Sequence, residues 1–129
     1  MDEAERDAFL ATPRTAVLST LSKDGHIHSV PVWYLYERGE FRIITGRGSG
    51  KHRNVVRSGR ATLCVDEREG RIRYATAEGP VTVSNTVTFE ERLALHTHYR
   101  GEEAARRIVE KGGHEGMVML TLRPERWIG

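Results

Sequence analysis

The stretch IITGRGSGKHRNVVRSGR, Ile43 to Arg60, carries an apolar strand into a glycine-rich turn and then into a short basic helix. Phe41, Ile43 and Thr45 alternate with Arg42 and Ile44, so the period predicts a strand that ends near Gly46. Gly46, Gly48 and Gly50 open backbone angles that other residues resist, and Ser49 has the side chain of an N-cap. With Ser49 as cap, the amides of Gly50, Lys51 and His52 are free at the positive end of the helix, and Lys51, Arg53, Arg57 and Arg60 add full charges. That combination is an anion site, and phosphate is the anion it suits. The alternative is a solvated basic helix behind a flexible turn. The phosphate-binding loop pattern G-x-x-x-x-G-K followed by Ser or Thr is not met. Gly46 stands one residue too close to Gly50-Lys51, and His52 replaces the magnesium-binding hydroxyl, which excludes a nucleoside triphosphatase of that type.

Working outward, the flanking segments read mostly as β. Asp2 to Ala11 is a short amphipathic helix stopped before Pro13. Thr15 to Ser22 is a strand, Lys23-Asp24-Gly25 a hairpin turn, and His26 to Glu37 the returning strand, with Pro31 marking a bulge or an edge. Ala61 to Val65 and Arg71 to Ser84 are further strands, the latter bent at Gly79-Pro80 where it passes from one side of a barrel to the other. Thr88-x-x-Glu91 is a capping box opening a helix to Tyr99. A second helix, Glu102 to Lys111, breaks at Gly112-Gly113, and Gly116 to Leu122 closes the sheet. Six or seven strands with few helices, no repeat and no linker predict one domain over residues 1–129, an antiparallel β-barrel, because closure removes exposed strand edges.

Composition bounds the function. A chain of 129 residues, 29% charged and 38% apolar, is that of an ordinary globular protein. Its net charge of +2 does not by itself argue for nucleic acid, so any basic patch is local. The acidic N-terminal stretch has no apolar signal core, and no run approaches the roughly 20 residues of a membrane span. Cys64, the only cysteine, sits in an apolar run and reads as a buried, inert thiol in a reducing cytoplasm. His26 and His28 share a strand face, but no second cluster completes a zinc set, so no metal is expected. There is no G-x-S-x-G elbow. Trp33, Tyr34 and Tyr36 serve either packing or ligand stacking. A barrel-type nucleic-acid module would need a basic groove with stacking aromatics, for which Trp33, Trp127, Arg53 and Arg57 are the only material.

The order of elements, with Thr15-Ala-Val-Leu-Ser-Thr, Lys23-Asp24-Gly25, Ser29-Val30-Pro31-Val32-Trp33-Tyr34, Gly48-Ser49-Gly50-Lys51-x-x-Asn54-Val55 and Arg60-Ala61-Thr62-Leu63-Cys64-Val65-Asp66, resembles the pyridoxamine 5′-phosphate oxidase superfamily of flavin-reductase-like split barrels. Ala77-Glu78-Gly79 and Pro124-Glu125-Arg126-Trp127 are similar to the branch that uses the deazaflavin coenzyme F-420. The resemblance implies a Greek-key, FMN-binding-like split β-barrel and an obligate homodimer with the cofactor in a groove between subunits. It places Lys51, Arg53 and Asn54 at the cofactor phosphate, with Ser49 and Gly50 at the same helix start. Ser29, Val30, Pro31 and Val32 form the wall along the ring, with Ile44 and Thr45 beside it and Trp127 near the groove. His28 departs from the small or amide residue expected at its position. The sequence stops soon after Trp127 without the arginine and histidine tail that grips pyridoxamine phosphate, so vitamin B6 oxidation is not expected.

The function implied is an F-420-dependent oxidoreductase acting on an enone, quinone or tetrapyrrole, in the cytoplasm, with neither nucleic acid nor membrane as partner. The alternatives are an FMN-binding split barrel and a non-catalytic carrier or sensor of flavin, deazaflavin or haem. The preference for F-420 rests on Arg47, Arg57 and Arg60, which can extend positive charge past the helix start toward a carboxylate-bearing tail, each turn advancing about 5.4 Å.

Overall fold

A computed structural model describes residues 1–129. In chain order the elements are α1 (Glu3–Leu10), β1 (Ala16–Leu21), β2 (Ile27–Val32), β3 (Leu35–Glu37), β4 (Glu40–Gly46), α2 (Gly50–Ser58), β5 (Arg60–Glu67), β6 (Arg73–Ser84), α3 (Phe89–Arg100), α4 (Glu102–Val109), β7 (Met117–Leu122) and β8 (Arg126–Ile128). Seven strands form one antiparallel path, β2-β1-β5-β6-β7-β4-β3, and β8 pairs with β6.

The two ends of that path, β2 and β3, are consecutive in sequence and separated only by Trp33 and Tyr34. The sheet therefore curls until its edges meet without pairing, which is a split barrel. Pro31 lies on β2, an edge strand, where its missing N–H costs no ladder bond. The returning strand expected over His26 to Glu37 is broken at this split, and His26 lies before β2 begins. The Tyr99 hydroxyl of α3 stands at the gap. It accepts from the Tyr34 amide at 3.0 Å and donates to the Arg14 carbonyl at 2.7 Å, so backbone groups freed by the break are satisfied by a side chain.

Alternation places one face of each strand inside. Phe41, Ile43 and Thr45 of β4 are buried while Arg42 and Ile44 are not, and Leu63 and Val65 of β5 are fully buried on either side of Cys64. Cys64 is thus half-buried on the outer face and not in the core as expected, because the strand period assigns it the opposite side from its apolar neighbours. Tyr34 is fully buried and donates from its hydroxyl to the Leu10 carbonyl at 3.0 Å, tying α1 to the barrel. Burial pushes that phenol well above the ordinary tyrosine range.

β6 makes the bend that the sequence predicts. Residues Arg73 to Pro80 pair with β5, and Val81 to Ser84 pair with β7. At the turning point Arg123 donates its amide to the Pro80 carbonyl (3.0 Å) and Glu125 donates to the Glu78 carbonyl (2.8 Å), so the C-terminal segment crosses directly over Gly79. That crossing launches β8, an eighth strand beyond the expected six or seven. Only three residues long and behind Pro124, it carries too short a pattern to be read from sequence.

Candidate functional site

Helix α2 begins as its sequence dictates. Ser49 has extended dihedrals and its Oγ accepts from the His52 amide at 3.4 Å. Gly48, at φ +79°, occupies the left-handed region and donates its amide to His52 Nδ1 at 2.9 Å. The amides of Gly50 and Lys51 precede the first intrahelical donor, so they remain free to meet a ligand. Asn54 is buried and its Nδ2 donates to Thr20 Oγ1 at 3.0 Å, while Val55 enters the core. These two residues pin the helix to β1 and fix where its positive end points.

Beside that end lies a groove of about 470 Å³. Its walls are Thr15, Pro31, Val32 and Trp33 at the barrel split, Ile44 and Thr45 of β4, Met117 of β7, Lys51 of α2, and Arg92, Leu95 and His96 of α3. Lys51 forms no ion pair within the chain. Trp33 is held rigidly: its ring stacks on Tyr99 at 4.2 Å and 5°, meets the His96 ring edge-on at 6.1 Å, and lies under the Arg100 guanidinium at 4.9 Å. Burial, with Arg92 and Arg100 nearby, holds the His96 imidazole below its ordinary pKa.

Of the residues expected at the site, Pro31, Val32, Ile44, Thr45 and Lys51 line this groove, with Ser49 and Gly50 at the adjoining helix start. The others lie elsewhere within the chain. Ser29 faces outward and its Oγ lies 2.8 Å from that of Ser19, while Val30 packs against the core. Asn54 spends its amide on Thr20. Arg53 bonds the Gly48 carbonyl of the turn, and Trp127 packs by Phe41 and Tyr36 under Arg6.

Of the arginines expected to extend positive charge past the helix start, Arg60 is ion-paired, while Arg47 and Arg57 hold backbone carbonyls and keep their charge. Arg57 bonds the Leu21 carbonyl, and Arg47 lies 2.7 Å from the Asn85 carbonyl. Arg60 grips Glu78 with two bonds of 2.8 and 3.0 Å and Glu125 at 2.7 Å. Two carboxylates cancel its charge, and the hydrogen bonds from Arg60 hold the Glu78 carboxyl below the ordinary glutamate range. On the groove wall itself the cations are Lys51 and Arg92 of α3. The capping box locates α3, but nothing in its sequence says which residues overhang the groove, and so Arg92, Leu95 and His96 escape a reading of the sequence.

A phosphate-bearing flat ring fits these residues. The helix start and Lys51 supply donors and charge at one end, and Pro31, Val32, Ile44, Trp33 and Met117 supply apolar walls at the other. His28 stands at the junction: a Cβ on Gly50 would lie 3.4 Å from its Cε1, and its Nδ1 is buried without a partner. No three His, Cys, Asp or Glu side chains group in a way that would hold a metal ion, and no helix is long and apolar enough to cross a membrane.

A curled antiparallel sheet open at one seam, with a helix start and an apolar groove beside that seam, defines the split-barrel class. Residues 2–129 match the pyridoxamine 5′-phosphate oxidase family, and the chain belongs to it. Among curated proteins none matches the chain in sequence. Solved structures do. A conserved hypothetical protein from Mycobacterium tuberculosis superposes with a TM-score of 0.84 at 22% identity, over 98% of this chain and 82% of the other. A protein described as an F420 reductase gives 0.81 at 20% identity, over 95% and 94%. A haem storage protein from Vibrio cholerae gives 0.73 at 14% identity, over 98% and 92%. At these identities the likeness is one of fold.

Proposed function

We propose that the groove binds a flavin-type cofactor, F-420 in preference to FMN, and that the protein moves a hydride between it and an unsaturated small molecule such as an enone, quinone or tetrapyrrole. The observation that carries this reading is the continuity of the groove: a helix start with Lys51 opens into an apolar channel past Ile44 and Trp33. The F420 reductase with the same fold supports the choice of cofactor. Lys51 and the amides of Gly50 and Lys51 hold the phosphate, Pro31, Val32 and Ile44 flank the ring, and Trp33 and Leu95 exclude water. When bound, the cofactor supplies the hydride; the protein supplies binding, orientation and electrostatics. Mixing the reduced cofactor with a panel of enones and quinones should oxidise it at a rate that depends on the protein. Prolonged binding without oxidation by any acceptor would favour the second reading, a carrier, which the shared fold of the haem storage protein motivates.

The same reading makes the protein a homodimer. The outer face of β2, β1, β5, β6 and β8 carries Val17, Leu21, Ile27, Tyr74 and Ile128, between 43% and 76% exposed, around small residues such as Ser19, Thr62 and Cys64. A broad apolar sheet face is a surface for a second copy. Val17→Arg on that face should convert a dimer into a monomer in sedimentation. A wild-type protein that is monodisperse as a monomer at micromolar concentration would contradict the assembly.

A further inference from the structure

We propose that His96 donates a hydrogen bond to a carbonyl oxygen of the substrate, so that the groove selects alkenes conjugated to a carbonyl; this rests on the hydride-transfer reading above. Arg100, one turn further along α3, points its Nε–H at His96 Nδ1 across 3.3 Å. A ring nitrogen that accepts carries no proton, so the neutral imidazole holds its hydrogen on Nε2. Nε2 has no partner within the chain, and the residue lines the groove. The edge-on contact with Trp33 restrains the ring, and Trp33 is itself stacked on Tyr99.

The charged groups that line the groove with it are Lys51 of α2 and Arg92 of α3, with Arg100 behind the ring, and no carboxylate lines the groove. Burial, with the cations Arg92 and Arg100, opposes the imidazolium. A neutral imidazole is a hydrogen-bond donor but a poor acid, since loss of its proton would leave an imidazolate. Its chemistry is therefore polarisation. When hydride from the reduced cofactor forms a C–H bond at the carbon β to the carbonyl, the alkene π pair shifts and charge collects on the carbonyl oxygen as an enolate. Water then delivers a proton to the α-carbon, so the double bond has gained a hydride, which carries both electrons, and a proton, and the cofactor that gave up its C–H bond is left oxidised by two electrons. A donor fixed on that oxygen is worth more in the transition state than in the ground state.

The test uses two unreactive probes of similar shape, 1-tetralone, which has the ketone, and tetralin, which lacks it. Titration of the full chain should show that His96→Phe weakens 1-tetralone about tenfold and tetralin hardly at all, the size of one hydrogen bond. His96→Gln, which keeps an N–H donor, should recover most of the loss. The infrared ketone stretch of bound 1-tetralone should lie at lower wavenumber in the wild type than in His96→Phe. Nitrogen-15 spectra of the histidines should show the Nε2-protonated tautomer at pH 7. Equal effects of His96→Phe on both probes, an Nδ1-protonated ring, or failure of 1-tetralone to bind would overturn the assignment. None of these readouts requires the cofactor, so a His96 failure leaves the proposed function standing. Conversely, a chain that shows the ketone contrast but binds no flavin-type cofactor would overturn the function and leave the donor in place.

Discussion

Gly79→Ala is expected to destabilise the fold by about 4 kcal/mol or more, among the largest effects a single methyl group can have. A Cβ on Gly79 would clash with the Arg123 carbonyl oxygen and lie 3.1 Å from the Glu125 amide nitrogen. Both are backbone atoms, so no side chain can swing aside to make room. The crossing segment is held there by the bonds from Arg123 to Pro80 and from Glu125 to Glu78, and its displacement would break them and loosen β8. Gly116→Ala is the control, since a Cβ there meets nothing within 4 Å. Urea unfolding should move the midpoint sharply for the first and by little for the second. Equal midpoints for wild type and Gly79→Ala would show that the C-terminal segment does not lie over the β6 bend.

Lys51→Ala should weaken cofactor binding by about 10- to 100-fold, the equivalent of one charge-assisted hydrogen bond of roughly 1.5–3 kcal/mol. Lys51 is the cation at the helix start that lines the groove and has no carboxylate partner in the chain, so its full charge is available to a phosphate. Arg60→Met supplies the contrast. Its guanidinium already answers Glu78 and Glu125, and its loss should change affinity less than twofold. Fluorescence titration at low salt separates the two. The same affinity in Lys51→Ala as in the wild type would place the phosphate elsewhere, and a large loss in Arg60→Met would show that Arg60 serves the site despite its ion pairs.

Much of the barrel is legible because it follows from local rules. The two-residue period of β4, the capping box at Thr88 and Glu91, the Ser49 cap and the Gly79-Pro80 bend each act over a few neighbouring residues. The walls contributed by Pro31, Val32, Ile44, Thr45 and Lys51 follow from the resemblance of short motifs. What stays hidden is set by contacts between distant residues. Arg60 finds Glu78 at 18 positions away and Glu125 at 65, so a sequence that shows arginines in a row cannot show which charge is already answered. α3 hides its role for a related reason. Eight of its twelve residues are half-buried and only Leu95 is fully so, which blurs any apolar stripe that would mark the face over the groove. Cys64 illustrates the opposite error, an apolar run read as core although alternate members face outward.

The groove as a cofactor site is tested most directly by titrating the protein with F-420, FMN and FAD side by side at low and at moderate salt. F-420 continues past its phosphodiester into a tail with several carboxylates, whereas FMN ends in one phosphate. With Lys51 and Arg92 at the groove, F-420 should bind most tightly and lose affinity most steeply as salt rises, because exposed pairs are screened over about 10 Å at 0.1 M. Tighter binding of FMN at every salt concentration would contradict the choice of F-420, and failure of all three to bind would contradict the cofactor site itself.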